Sequence, residues 1–191
     1  RSRLELNFAY WANELGYTPA PEGGYRAVLG IEAVLKTDDY QPVTERRQRT
    51  EDLKDSIDDL EGRLVVDQTT LVADPGRYRL ALSVRDSVSS DVGIFTTEVD
   101  VLGFPAGALT ISDIQLALDV KSGQPGDPFL KGPYQVVPYP LGTFPRDRDI
   151  HLFFEVYGLT ASPTGDVLYT VEFLIRPRQT AGSSWFGSSK G

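Results

Sequence analysis

No cysteine and no methionine occur among the 191 residues, and histidine occurs once. Without a thiol there can be no disulfide, thiolate nucleophile, Cys-ligated zinc or iron–sulfur cluster. Without methionine, Arg1 is not an initiator residue, so the chain is expected to be a processed product or an excerpt of a longer one, from which a signal peptide is one removable part. Positive charge is also scarce: 19 Lys and Arg stand against 27 Asp and Glu, a formal net charge of −8. A chain of that sign is poorly suited to nucleic-acid phosphates or to anionic lipid, both of which call for clustered cations. The one basic cluster, Arg46-Arg47-Gln48-Arg49, runs directly into Glu51, Asp52, Asp55, Asp58, Asp59 and Glu61 and reads as a solvated, charge-balanced segment. No apolar run approaches the roughly 18 residues of a membrane-spanning helix.

What is present suits a globular β protein. Hydrophobic residues make up 40% and charged residues 24%, enough apolar material for a core. The most informative stretch is Asp74-Pro75-Gly76-Arg77-Tyr78, continued by Arg79-Leu80-Ala81-Leu82-Ser83-Val84-Arg85-Asp86. A Gly two residues ahead of a Tyr that opens an alternating strand is the pattern of a tyrosine corner, formed by Asp74, Gly76 and Tyr78, in which the phenol folds back onto the backbone just upstream. The period-2 alternation turns Tyr78, Leu80, Leu82 and Val84 inward and Arg77, Arg79, Ala81, Ser83 and Arg85 outward.

Other strand candidates are Leu4 to Tyr10, Tyr25 to Leu35, Gln41 to Gln48, Leu64 to Leu71 and Ile94 to Val101, separated by short turn-rich pieces. Thr50 to Leu60 reads equally as a charged loop or as a short helix capped by Thr50 and stopped by Gly62. Linker chemistry in Leu102-Gly103-Phe104-Pro105-Ala106-Gly107 places a boundary near Phe104. Beyond it come Leu109 to Val120, a Gly/Pro-rich stretch from Ser122 to Pro140 interrupted by Tyr134 to Val137, and two strands, Ile150 to Tyr157 and Val167 to Ile175, joined as a hairpin. The expected architecture is all-β: two consecutive immunoglobulin-like antiparallel sandwiches, 1–104 and 105–178, followed by a Gly/Ser-rich tail, 179–191. The second has few strands for a closed sandwich, so it is expected to be finished by further chain or by another protein.

The order of several segments resembles the β-sandwich region of bacterial GWxTD-domain proteins. These segments are Asp74-Pro75-Gly76-Arg77-Tyr78-Arg79-Leu80 with Asp86, Leu109-Thr110-Ile111-Ser112-Asp113-Ile114, Val137-Pro138-Tyr139-Pro140 with Phe144, and Phe153-Phe154-Glu155-Val156-Tyr157-Gly158-Leu159. The Gly-Trp-x-Thr-Asp signature itself is absent, and so is a second Pro-Gly-x-Tyr strand. The resemblance implies a β-sandwich fold and an exported, extracytoplasmic protein, and it brings no catalytic residue with it.

Candidate chemistry is sparse. His151 alternates with Leu152 and Phe154 along a strand and has no nucleophile elbow to serve, so it reads as a surface or edge histidine. Glu155 and Glu172 are the carboxylates most suited to a glycosidase-like pair if their strands adjoin. Asp55, Asp58, Asp59 and Glu61 offer hard oxygen ligands for calcium, with spacing that fails the EF-hand loop. Aromatics are the better clue. Tyr134, Tyr139 and Phe144 sit among prolines, and Trp185-Phe186 punctuate the tail; these five are the expected partner contacts. Trp11, Tyr17 and Tyr40 are the candidates for stacking on sugars. The expected function is therefore a non-catalytic structural or docking subunit of a membrane-associated assembly in the periplasm or at the cell surface, with no cofactor and no metal. Its partners would be other protein subunits, and the alternative is a carbohydrate-recognition module.

Overall fold

A computed structural model describes residues 1–144 and 146–176. Its strands are β1 (Ser2–Trp11), β2 (Thr18–Pro19), β3 (Tyr25–Lys36), β4 (Pro42–Lys54), β5 (Leu64–Ala73), β6 (Gly76–Asp86), β7 (Val92–Val101), β8 (Thr110–Ile111), β9 (Gln115–Ser122), β10 (Leu130–Lys131), β11 (Tyr134–Pro138), β12 (His151–Phe153) and β13 (Val156–Tyr157). The described chain is all-β, about half of it strand, in several antiparallel sheets consistent with a β-sandwich. It divides into two compact units, the first Arg1–Gly158 and the second beginning at Leu159. The boundary expected near Phe104 falls within the first.

The first unit is organised around β3, whose Ala27, Leu29, Ile31, Ala33 and Leu35 alternate onto one buried face. β4 pairs with β3 along its whole length, so the other edge of β3 is shared by β2 near Tyr25 and by β6 from Leu29 onward. β7 extends the sheet beyond β6. Opposite lies a two-stranded ladder of β1 and β5, whose Leu4, Leu6, Phe8, Leu71 and Ala73 pack against Ile31, Leu35, Leu80 and Leu82. Burying a leucine-sized side chain in such a layer stabilises by about 1.5–3 kcal/mol.

A separate, four-stranded sheet, in the order β10-β11-β9-β12, accompanies a two-stranded pair of β8 and β13. Each expected long strand here is broken. Leu109–Val120 yields β8 and β9, and Ile150–Tyr157 yields β12 and β13. The two breaks face each other: the Ser112 amide donates to the Glu155 carbonyl at 2.9 Å, and the Glu155 amide donates to Ser112 Oγ at 2.9 Å. The hydroxyl thus takes the place of a main-chain acceptor, and one continuous ladder becomes two.

Two further expectations are corrected. Thr50 to Leu60 contains no helix: Thr50–Lys54 completes β4, paired with Tyr25–Leu29 of β3. Leu53, part of the supposed helical stripe, is 58% exposed, so a short helix would have had no packing to offset its nucleation cost, whereas the β3 edge supplies a partner for the backbone. Val167 to Ile175 forms no strand, and Leu168 and Ile175 are 97% and 91% exposed. Alternating apolar residues make a strand only where a sheet receives them. The turn that precedes this segment does form: the Ser162 amide donates to the Asp166 carbonyl at 2.7 Å, with Gly165 at φ +87°.

Candidate functional site

The Pro-rich segment supplies the best-defined aromatic site. β11 pairs with β9 until a register shift between Val137 and Pro138. Pro138 is fully buried, and its missing amide explains the shift. The chain then anchors through the Tyr139 amide, which donates to the Leu116 carbonyl at 2.9 Å. Beyond it the chain folds onto itself. The Tyr139 hydroxyl donates to the Thr143 carbonyl at 2.6 Å, and the rings of Tyr139 and Phe144 lie 4.1 Å apart at 44°. Two of the expected partner contacts, Tyr139 and Phe144, are therefore brought together in a pre-ordered loop. Tyr134 is exposed at the far end of β11, roughly 15 Å of strand away. Trp185 and Phe186 lie outside the described residues.

Tyr139 also borders a cleft of about 670 Å³ between the outward face of β1 and the β10-β11-β9-β12 sheet. Arg3, Glu5, Gln115, Lys131 and Phe153 line it as well. Glu5 is the hub, accepting from Arg3 at 2.9 Å and from the mostly buried Lys131 ammonium. That ammonium also lies 5.3 Å over the Phe153 ring. The Gln115 side-chain NH₂ group is buried with no hydrogen-bond partner, leaving its two N–H donors for a ligand or partner to satisfy. At one end the Tyr157 hydroxyl donates to Glu155 at 2.5 Å, which pushes the phenol up to about 12, burial adding to the effect. The sequence reading missed Glu5, Gln115 and Lys131. Their pairing spans 126 residues in the case of Lys131 and Glu5, and no local pattern carries it.

The other expected groupings are distributed over the fold. Tyr78 donates to the Asp74 carbonyl at 3.0 Å over Gly76, so the corner closes as its spacing predicts. Trp11, exposed at the end of β1, lies at one pole of the first sheet pair. At that same pole Tyr17 donates to Asp52, which also accepts from Lys54 at 2.7 Å. Tyr40 belongs to the opposite pole, in the turn after β3, with the Arg79 guanidinium 5.0 Å over its ring. Ala27, opposite Asp52, and Lys36, opposite Arg79, are nine residues or roughly 30 Å apart along β3, so the three rings do not share one face.

Burial first, then its carboxylate neighbours Asp67 and Asp52, raises the Tyr10 phenol far above its ordinary value. Burial, followed by the Asp52 hydrogen bond, does the same for Tyr17. These phenols act as neutral donors that tie the Trp11 pole together. Asp67 in turn is held above the usual carboxylate range by burial.

His151 is half-buried on β12 opposite Ala117. The hairpin that was to join Glu155 and Glu172 is not formed, because Val167–Ile175 is not a strand. Of the acidic cluster, Asp59 is engaged by Arg63 at 2.8 Å and Asp58 by the Ser56 hydroxyl at 2.9 Å. Among the described residues no group of three or more His, Asp or Glu side chains is placed to hold a metal, and no helix is long and apolar enough to cross a membrane. No family model matches the chain, and no curated protein and no solved structure matches it either.

Proposed function

We propose that this chain is a non-catalytic structural or docking subunit of a larger, membrane-associated assembly outside the bacterial cytoplasm, built from immunoglobulin-like sandwiches and bound to its partners through the Tyr139–Phe144 loop. The observation that carries the reading is this loop: two aromatic rings in contact, tied down by the Tyr139–Thr143 hydrogen bond before any partner arrives. A pre-ordered aromatic anchor loses little entropy on docking, which is what a contact at the centre of an interface requires. Exposed Leu116 and Leu152, paired directly across β9 and β12, add apolar surface in the same sheet.

The immunoglobulin-like reading is supported by the order β4-β3-β6-β7 facing β1-β5 and by the tyrosine corner. Two sandwiches rather than one are supported by the separate sheet that begins after Val101. The compartment and the bacterial source rest on the resemblance of this motif order to that of GWxTD-domain proteins.

Cross-linking and mild extraction from the native membrane test the proposal. The chain should come out with other subunits, and Tyr139→Ala should lower that recovery by at least about tenfold, the loss of one interface anchor, while leaving the fold intact. A chain extracted alone, or recovery unchanged in both Tyr139→Ala and Phe144→Ala, would reject the docking role. Glycan binding that survives Tyr139→Ala but disappears in Trp11→Ala would instead support the carbohydrate-recognition alternative, with Trp11 acting apart from Tyr40.

A further inference from the structure

The two outer edges of the first unit's larger sheet are treated very differently. β4, at one edge, carries Glu45, Arg46, Arg47, Arg49, Glu51, Asp52 and Lys54, a density of charge that discourages any further strand from adding there. β7, at the other, pairs only with β6 among the described residues, over ten consecutive positions. From Val92 to Thr97 it carries no charge at all. Ile94 is 72% exposed and Phe95 is 59% exposed.

Phe95 is the more telling of the two. It stands directly opposite Leu82 on the inward face of the sheet, where a sandwich normally covers its residues. The core reaches β7 only at Val99 and Val101, because the opposing layer is just the two strands β1 and β5. The result is a long, flat strand that is uncharged over six residues, with a core-facing aromatic left in solvent. Such an edge is a template for strand pairing.

We propose that β7 is the seam of a homodimer, in which the β7 strands of two copies pair antiparallel about a two-fold axis at Phe95. This inference does not depend on the docking role above. In antiparallel pairing, residues that face each other point to the same side, so self-pairing must set odd positions against odd and even against even. With Phe95 facing Phe95, Gly93 meets Thr97 and Ile94 meets Thr96. Glu98, already held by Arg77 and Arg79, meets Val92, and Asp91 meets Val99. No acid faces an acid, although each copy carries a net charge of −8. Two aromatic rings then fill the open inner face of both sheets, one of the cross-strand pairings that stabilise a sheet. The five-stranded sheet, in which β4-β3-β6-β7 run side by side and β2 shares an edge of β3 with β6, continues into a second copy as one ten-stranded sheet with a charged β4 at each outer end.

The absence of cysteine provides a clean test of the register. The full chain is followed by sedimentation velocity up to about 100 µM, the range for a small transient interface. About 0.15 M salt screens the like charge of the two copies beyond roughly 8 Å. A concentration-dependent dimer is expected, weakened at least about tenfold by Ile94→Lys, which places a charge in the seam. The matching change on the other edge, Val43→Lys, should leave it unaltered.

Under mild oxidation Phe95→Cys should cross-link two copies, because facing Cβ atoms lie about 4.5–5.5 Å apart. Thr97→Cys should not, since its two copies are offset by four residues, roughly 13 Å. A monomer at every concentration overturns the proposal. So does a dimer indifferent to Ile94→Lys, or cross-linking through Thr97→Cys as fast as through Phe95→Cys. A monomer whose β7 amides gain protection from hydrogen exchange only when another subunit is added would assign the edge to a foreign strand and likewise overturn self-pairing.

Discussion

The Tyr78 hydroxyl donates a hydrogen bond of 3.0 Å to the main-chain carbonyl of Asp74, four residues upstream, and so ties the start of β6 to the residue that directly follows β5. The ring itself packs against the hydrophobic core. Tyr78→Phe keeps that packing and removes only the bond, whose carbonyl acceptor is open to water. The expected loss is about 0.5–1 kcal/mol in urea unfolding at neutral pH. A loss above about 3 kcal/mol would mean that the phenol has a further partner.

Asp86 ends the same strand and is buried. One carboxylate oxygen accepts from the Gly16 amide and the other from the Val88 amide at 2.7 Å, so a single side chain holds both the β6–β7 turn and the segment that follows β1. Asp86→Ala leaves these amides unanswered and should destabilise by about 3 kcal/mol, with Asp86→Asn falling between it and the wild type. Equal stability of the Ala variant and the wild type in chemical unfolding would refute this role.

Gly158 sits at φ +74°, and a Cβ there would lie 2.0 Å from the Ala108 carbonyl oxygen. Both the left-handed backbone and the collision oppose any side chain. Gly158→Ala should therefore unzip β8 from β13: amide exchange at Thr110 and Tyr157, the pair that exchanges main-chain hydrogen bonds across this ladder, speeds up, while β3 and β6 keep their protection. Unchanged exchange at Thr110 and Tyr157 would show that the close approach is not required.

Three phenols predict an alkaline weakness. Tyr10 and Tyr17 are raised chiefly by burial, and Tyr157, raised to about 12, chiefly by its bond to Glu155. In each case the folded chain keeps a proton that the unfolded chain releases near pH 10, so this stabilisation is complete below about pH 10 and is lost as pH rises through the folded values. Ultraviolet absorbance should show these three of the nine tyrosines ionising late, with unfolding in denaturant becoming easier above about pH 10. A single ionisation step shared by all nine tyrosines would count against it.

Where a structure is held by neighbours in sequence, its residues announce it. The Tyr78 corner is a contact over four positions, and β6 and β3 each alternate cleanly because one face of each is buried. Thr50–Lys54 was ambiguous because its charges satisfy a helix, a loop or an edge strand equally well, and only the free edge of β3 selects among them. Val167–Ile175 alternates as regularly as β3 and still forms no strand, since periodicity records a readiness to pair and says nothing of whether a sheet is there. In the candidate site, the aromatic loop was legible from its prolines. The Glu5–Lys131 pair beside it was not, because opposite charges 126 residues apart carry no local mark of their meeting.

By itself, the sequence determined the all-β class, the tyrosine corner, the faces of β3 and β6 and the absence of thiol chemistry, all of which follow from residue type and from spacing over a few positions. Only the tertiary structure decided that one edge of the larger sheet is screened by charge while the other leaves Ile94 and Phe95 open. It also separated Tyr40 from Trp11 and Tyr17, and seated Tyr139 beside a cleft whose acid and base come from distant strands. The reason is physical: burial and pairing belong to the surfaces that meet, and the order of residues along one strand does not specify which strand will lie across from it.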